Sequence, residues 1–108
     1  MQLSEAEWTD AEKEIAQSAF ERAYEQEIEA LLKQVQQQVS TLETMNDLWQ
    51  LHDFLSAKRH EVDGKYNFQY PALPFVFAGL IKEGWLHLTD LEGLSQDKLS
   101  KIAALSRM

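Results

Sequence analysis

Between Trp8 and Leu42 apolar residues return mostly every three or four positions, through Ala11, Ile15, Ala19, Tyr24, Ile28, Leu31, Leu32, Val35 and Val39. That spacing predicts one long amphipathic helix, and no Pro or Gly interrupts the chain before Gly64. Two helix starts are written into the first dozen residues. Ser4 with Glu7 makes a capping box, with Leu3 placed to pack on Trp8, and Thr9 with Glu12 makes a second. Ile28, Val35 and Leu42 stand seven apart, as do Leu32 and Val39. This is close to a coiled-coil seam, although Gln38 interrupts one register.

Thr44 with Asp47 caps a second helix that runs to about Val62, with Leu48, Leu51, Leu55 and Val62 as its apolar stripe. Asp63-Gly64 is expected to end it, with Gly64 in the left-handed cap conformation. Arg59 with Asp63 and Glu61 with Lys65 are spaced to pair, each pair worth only tenths of a kcal/mol. Residues 64–73 are rich in Tyr, Phe and Pro, a connector whose aromatics are expected to be tied down. Pro74 suits the first turn of a third helix, PFVFAGLIKEG, stopped by Gly84. FVFAGLI also reads as a buried strand, but its flanking Pro and Gly favour a helix. Thr89 with Glu92 caps a short turn, and Ser95 opens a last helix carrying Leu99, Ile102, Ala103 and Leu105. The fold class is therefore all-α.

Helix length sets the architecture. Residues 5–43 as one helix would span roughly 55–60 Å, whereas a compact domain of this size has a radius of gyration near 13 Å, so about 35 Å across. The first helix must overhang its own domain, with apolar residues still on the overhang. A second copy of the chain covers them most simply. A homodimer is expected, its seam formed by Ile28, Leu31, Leu32, Val35, Val39 and Leu42. The alternative is a break near Ser40-Thr41 that folds helix two back over helix one in the same chain, and the two can hold together. The chain reads as a single domain, about 1–66 forming stalk helices and 67–108 a small helical head.

Composition narrows the classes. There is no cysteine, so neither a disulfide framework nor a zinc–thiolate site is available. No segment reaches the eighteen or more apolar residues of a spanning helix, and the start, MQLSEAEW, lacks the basic and apolar regions of a signal peptide. The formal net charge of −8 argues against nucleic acid, which is bound through lysine and arginine. Residues 1–43 hold ten acids and three bases, −7 of that total. This acidic arm is either a solvated helix face or a surface that steers a basic partner.

The second helix carries an unusual second stripe of Trp49, His52, Asp53, Ser56, Arg59 and His60. Indole beside carboxylate, guanidinium and imidazole is the composition of an interface anchor, because Trp and Arg dominate binding hot spots. Two other roles compete: Trp49 in the dimer or domain core, and Arg59 with Asp53 as a pair that keeps two protomers in register. Enzyme chemistry fits poorly. Ser56, His52 and Asp53 on one straight helix cannot converge as a triad, and no oxyanion hole is evident. His52 and His60 are eight residues apart, about 12 Å along the axis, too far for one metal ion. There is no Gly-rich phosphate loop, and His87, lone among apolar residues, reads as structural.

The run Trp49, then Leu51-His52-Asp53-Phe54-Leu55-Ser56-Ala57-Lys58-Arg59-His60-Glu61, then Asp63-Gly64-Lys65-Tyr66, resembles the signature segment of the fluorescence recovery protein family of cyanobacteria. The chain length, the acidic first helix, the FVFA stretch before LIKEG and the closing KIAAL helix are similar as well. The resemblance implies a non-enzymatic photoprotection regulator with no pigment or other cofactor of its own. It implies binding to the photoactivated, red orange carotenoid protein, chiefly its C-terminal domain, faster return to the orange form, and detachment from the phycobilisome. Carried over by residue, it implies partner contacts at Trp49, His52, Asp53 and Arg59, with Lys58 and His60 weaker candidates and Phe75 and Lys101 secondary contacts in the head. The implied location is cytoplasmic, free or peripheral on the cytoplasmic face of the thylakoid. The rival reading is a dimeric helical adaptor with an unrelated protein partner.

Overall fold

Thr9 and Glu12 decide where the long helix begins. In the computed structural model, which describes residues 4–108, Thr9 Oγ1 accepts from the Glu12 N–H at 3.1 Å and Glu12 Oε1 accepts from the Thr9 N–H at 3.0 Å. This reciprocal box satisfies two orphan donors, and α1 runs Asp10–Ser40 behind it. Ser4 and Glu7 make a box of their own, but it caps a separate 3-10 turn, Glu5–Glu7. The single helix expected from residue 5 is thus a turn followed by a 31-residue helix. The expected contact of Leu3 on Trp8 lies outside the described residues.

Helices α2 (Met45–Lys65), α3 (Leu73–Glu83) and α4 (Gln96–Ser106) follow, with a 3-10 turn at Leu88–Leu91. The described residues are thus all helical, without a named strand. Two caps differ from expectation. α2 continues through Gly64 to Lys65, and the positive-φ residues are Gly84 (φ 88°) and Gly93 (φ 107°) instead. The extra turn delivers Lys65 to acidic partners on α1 and α3, 2.6 Å from Glu27 and 2.8 Å from Glu83. For the same reason the Glu61–Lys65 pair does not form; Glu61 pairs with Lys58 at 3.3 Å. The cap of the second 3-10 turn is His87, not Thr89: Asp90 Oδ2 accepts from the His87 N–H at 2.9 Å. His87 is exposed at that turn. The expected stop of α3 at Gly84 holds, with the Gly84 N–H bonded to the Ile81 carbonyl at 3.1 Å.

Leu73, Phe77, Leu80, Leu86, Leu91 and Ile102 have almost no exposure and form the core of a C-terminal head made by α3, α4 and the turn between them. This head sits on the first half of α1, where Ala16, Ala19 and Ala23 are buried. Small side chains at three- and four-residue steps let the two backbones approach. The aromatic connector is held edge-on: Phe20 meets Phe68 with ring centroids 5.1 Å apart, and Tyr24 meets Tyr66 at 5.0 Å. Arg22 bonds Asp90 at 3.2 Å.

Beyond the head the chain is an antiparallel hairpin. α1 ends at Ser40 and the chain reverses through residues 41–44, so that Lys65 at the far end of α2 meets Glu27 near the middle of α1. The fold-back within one chain therefore occurs. It covers the apolar surface only in part: Leu32 and Val39 of the expected seam and Leu48 and Leu55 of α2 remain exposed, and Val62 is the one buried residue of α2. The molecule measures 53 × 25 × 22 Å, with a radius of gyration of 16.9 Å, against about 13 Å for a compact chain of this length. The expected overhang is present.

Candidate functional site on helix α2

Four residues after α2 begins, Trp49 stands 55% exposed. Its ring meets His52 edge-on with centroids 6.3 Å apart, and His52 Nδ1 lies 3.4 Å from Asp53 Oδ1. Indole, imidazole and carboxylate thus form one small patch in solvent. The start of α2 beneath it is well fixed. Asp47 Oδ2 accepts from the backbone N–H of Glu43 at 3.1 Å and of Thr44 at 3.2 Å. These bonds hold the Asp47 carboxyl below the usual carboxylate range.

Arg59 lies ten residues further on, about 15 Å along the axis. Its Nε is 3.7 Å from Asp63 Oδ2, with both side chains largely exposed. Asp53 is therefore not its partner within the chain. Arg59 also lines a groove of about 390 Å³ between α1 and α2, with Tyr24, Ile28, Leu31, Leu55 and Val62. The polar and apolar stripes of α2 meet along this groove, with Arg59 on its rim.

The other candidates separate. His60 is exposed, whereas Lys58 is half-buried and lines a crevice with Glu27, Leu31 and Trp85. Phe75 is exposed on α3, and Lys101 Nζ lies 5.5 Å from its ring centroid, within cation–π range. These two residues come together on the head, while Trp49 stands at the elbow end of α2. The six expected seam residues also divide. Ile28 and Leu31 face α2 across the groove, and Leu42 lines a cleft at the elbow with Leu51 and Phe54. Val35 is half-buried, but Leu32 and Val39 face solvent, Leu32 at 57% exposure.

One cluster was not foreseen. Glu27, 3% exposed, accepts from Lys65 Nζ at 2.6 Å and from Tyr66 Oη at 2.7 Å. Burial alone would lower the Lys65 ammonium, but its bonds to Glu27 and Glu83 outweigh that and hold it above its ordinary value. Burial and the Glu27 carboxylate together push the Tyr66 phenol well up. Glu27, Glu61 and Glu83 bring carboxylate oxygens within 4.8 Å of one another. The compensating positive charge is the lysine's. A buried Glu on α1 whose partners lie 38 and 39 residues away in the chain gave no signal in the sequence.

Among the described residues no helix is long and apolar enough to cross a membrane. The family described as photoprotection regulator fluorescence recovery protein matches residues 8–106. A fluorescence recovery protein from Synechocystis sp. is 49% identical over 108 residues, covering 100% of this chain and 99% of the relative. The solved structure of the Fremyella diplosiphon fluorescence recovery protein superposes with a TM-score of 0.91 at 58% identity, covering 94% of this chain and 99% of that one. The corresponding structure from Synechocystis sp. PCC 6803 gives 0.90 at 50% identity, with the same coverage.

Proposed function

The chain belongs to the fluorescence recovery protein family of photoprotection regulators, and from that membership we propose that it acts on the orange carotenoid protein. It binds the photoactivated red form, chiefly through that partner's C-terminal domain. It speeds return to the orange form and promotes detachment from the phycobilisome, restoring antenna fluorescence. The observation that carries this reading is the exposed Trp49–His52–Asp53 patch with Arg59 on the same helix. Trp49 supplies apolar area to bury, and Arg59 and Asp53 supply charge-assisted hydrogen bonds. His52 orients beside both. His60 and Lys58 lie at the margin, and the Phe75–Lys101 pair forms a second contact on the head.

The rate effect follows from differential binding. A regulator that holds the barrier state more tightly than the red state accelerates reversion, tenfold for each ~1.4 kcal/mol of preference. A chain that contacts the partner at two places also lowers the entropic cost of bringing separated domains back together. The acting unit is a single domain over residues 1–108, with stalk helices over about 1–66 and a head over 67–108. It works as a homodimer whose seam centres on Leu32 and Val39, since these are exposed after α2 has folded back. It works without a cofactor, in the cytoplasm or at the cytoplasmic face of the thylakoid.

The test is to mix the protein with illuminated orange carotenoid protein and follow absorbance in the dark. Faster recovery of the orange spectrum supports the proposal. No acceleration points instead to a dimeric adaptor with an unrelated partner.

A further inference from the structure

We infer that Glu27 is a positioning residue: it fixes the angle at which α2 leaves the head, and through it the placement of Trp49 and Arg59. The functional half of this inference rests on the docking role proposed for α2. The geometry does not. Glu27 belongs to α1 and is nearly sealed from solvent. Its two oxygens are both used, one by Lys65 at the last turn of α2 and one by Tyr66 at the first connector residue. Lys65 also reaches Glu83 at the end of α3 at 2.8 Å. One carboxylate and one ammonium thus join three helices at the point where α2 is rooted.

Between Lys65 and the elbow at residues 41–44, α2 is only lightly packed. Val62, one turn from that root, is its single buried residue, and the groove and elbow cleft lie open beside it. Met45 is twenty residues from Lys65, about 30 Å along the helix. A tilt of about 10° at the root that the elbow of residues 41–44 follows moves that end by about 5 Å. Trp49 is displaced nearly as far, while the Phe75–Lys101 pair stays with the head. A partner gripping both places would meet a changed spacing. An ion pair with two fixed hydrogen bonds suits this role, because buried polar groups accept few alternative arrangements.

The chain has no native cysteine, so paired spin labels can be placed at Met45→Cys and Ala104→Cys, both exposed positions. Labelled chain is diluted with unlabelled chain so that each measured pair is intramolecular. With Glu27 intact one narrow distance is expected. Glu27→Gln keeps the side-chain size and is expected to shift or widen that distance by several Å, with helicity retained. An unshifted and equally narrow distribution overturns the positioning role, whatever the docking face does. Tyr66→Phe removes one bond to the same carboxylate and is expected to give a smaller widening. If Glu27→Gln fails to fold, an unchanged distribution in Tyr66→Phe overturns the role instead.

Recovery kinetics read the functional half. Glu27→Gln should require about tenfold more protein for half-maximal acceleration, with a saturating rate near that of the unaltered chain. If Arg59→Ala slows recovery and Glu27→Gln does not, the link from angle to function is overturned. If neither alters recovery, the docking reading fails, and the label distance alone judges Glu27.

Discussion

Lys98 Nζ lies 3.2 Å from Glu12 Oε1, and the two nearly buried side chains join the last helix to the first across 86 residues of sequence. Glu12 also accepts from the Ser95 N–H at 2.8 Å and from the Thr9 N–H at 3.0 Å. Lys98 in turn donates to the Glu7 carbonyl at 2.8 Å and sits 5.0 Å from the Trp8 ring centroid. The same carboxylate therefore caps α1, holds the start of α4 and neutralises a buried ammonium.

Stability should fall in acid because of this group. Burial pushes the Glu12 carboxyl up, but the N–H groups of Thr9 and Ser95 and the Lys98 ammonium outweigh it, so its folded pKa lies below the ordinary 4.5. A depressed carboxylate stabilises the fold fully above its unfolded value and loses that contribution as pH falls through the folded one. Urea midpoints should thus be level near neutrality and decline below about pH 4.5. Glu12→Ala should lower stability by about 3 kcal/mol at pH 7 and flatten that decline, since it leaves the Lys98 charge buried without its partner.

Trp49→Ala and Arg59→Ala should each slow dark recovery of the illuminated partner at least about tenfold, the scale of a hot-spot loss. Circular dichroism should be unchanged, because both side chains are exposed and neither supports the core. Unchanged recovery kinetics in both variants would remove this face from the site.

Leu32→Glu should yield monomers. The side chain is exposed in the single chain, so a carboxylate there is hydrated in a monomer and desolvated only in an apolar seam. Light scattering that still reports a dimeric mass would contradict the seam, while the melting of a dilute monomer should hardly change.

Two glycines should respond oppositely to alanine. Gly93 has φ 107° and faces Ile15, whose Cδ1 overlaps the place a Cβ would take. Gly93→Ala should destabilise by about 1–3 kcal/mol through backbone strain. Gly64 lies inside α2 with open space around it, so Gly64→Ala should stabilise by about 0.5–1 kcal/mol. Thermal unfolding of the two variants reads both signs.

Local signals in the sequence were informative because they act over one helical turn. The boxes at Thr9–Glu12 and Thr44–Asp47, the stop at Gly84 and the start at Ser95 are each decided by residues three or four apart. Gly64 departs from its expected cap role because its neighbour Lys65 answers to Glu27, 38 residues away, and a distant ion pair leaves no periodicity. The cap falls at His87 instead of Thr89 because Asp90 bonds back to it while also taking Arg22 from α1. The exposed Trp49 patch was legible as a polar stripe with a misplaced indole. The approach of Arg59 to Tyr24, Ile28 and Leu31 was not, since it depends on how α1 closes the other wall of the groove.

The shallow anchoring of α2 has an evolutionary corollary. With Val62 as its one buried residue, substitutions at the exposed positions of that helix are nearly neutral for folding. On the docking role proposed for Trp49, His52 and Arg59, client preference can therefore drift there without a compensating change in the head, and selection can tune the two halves of the molecule independently.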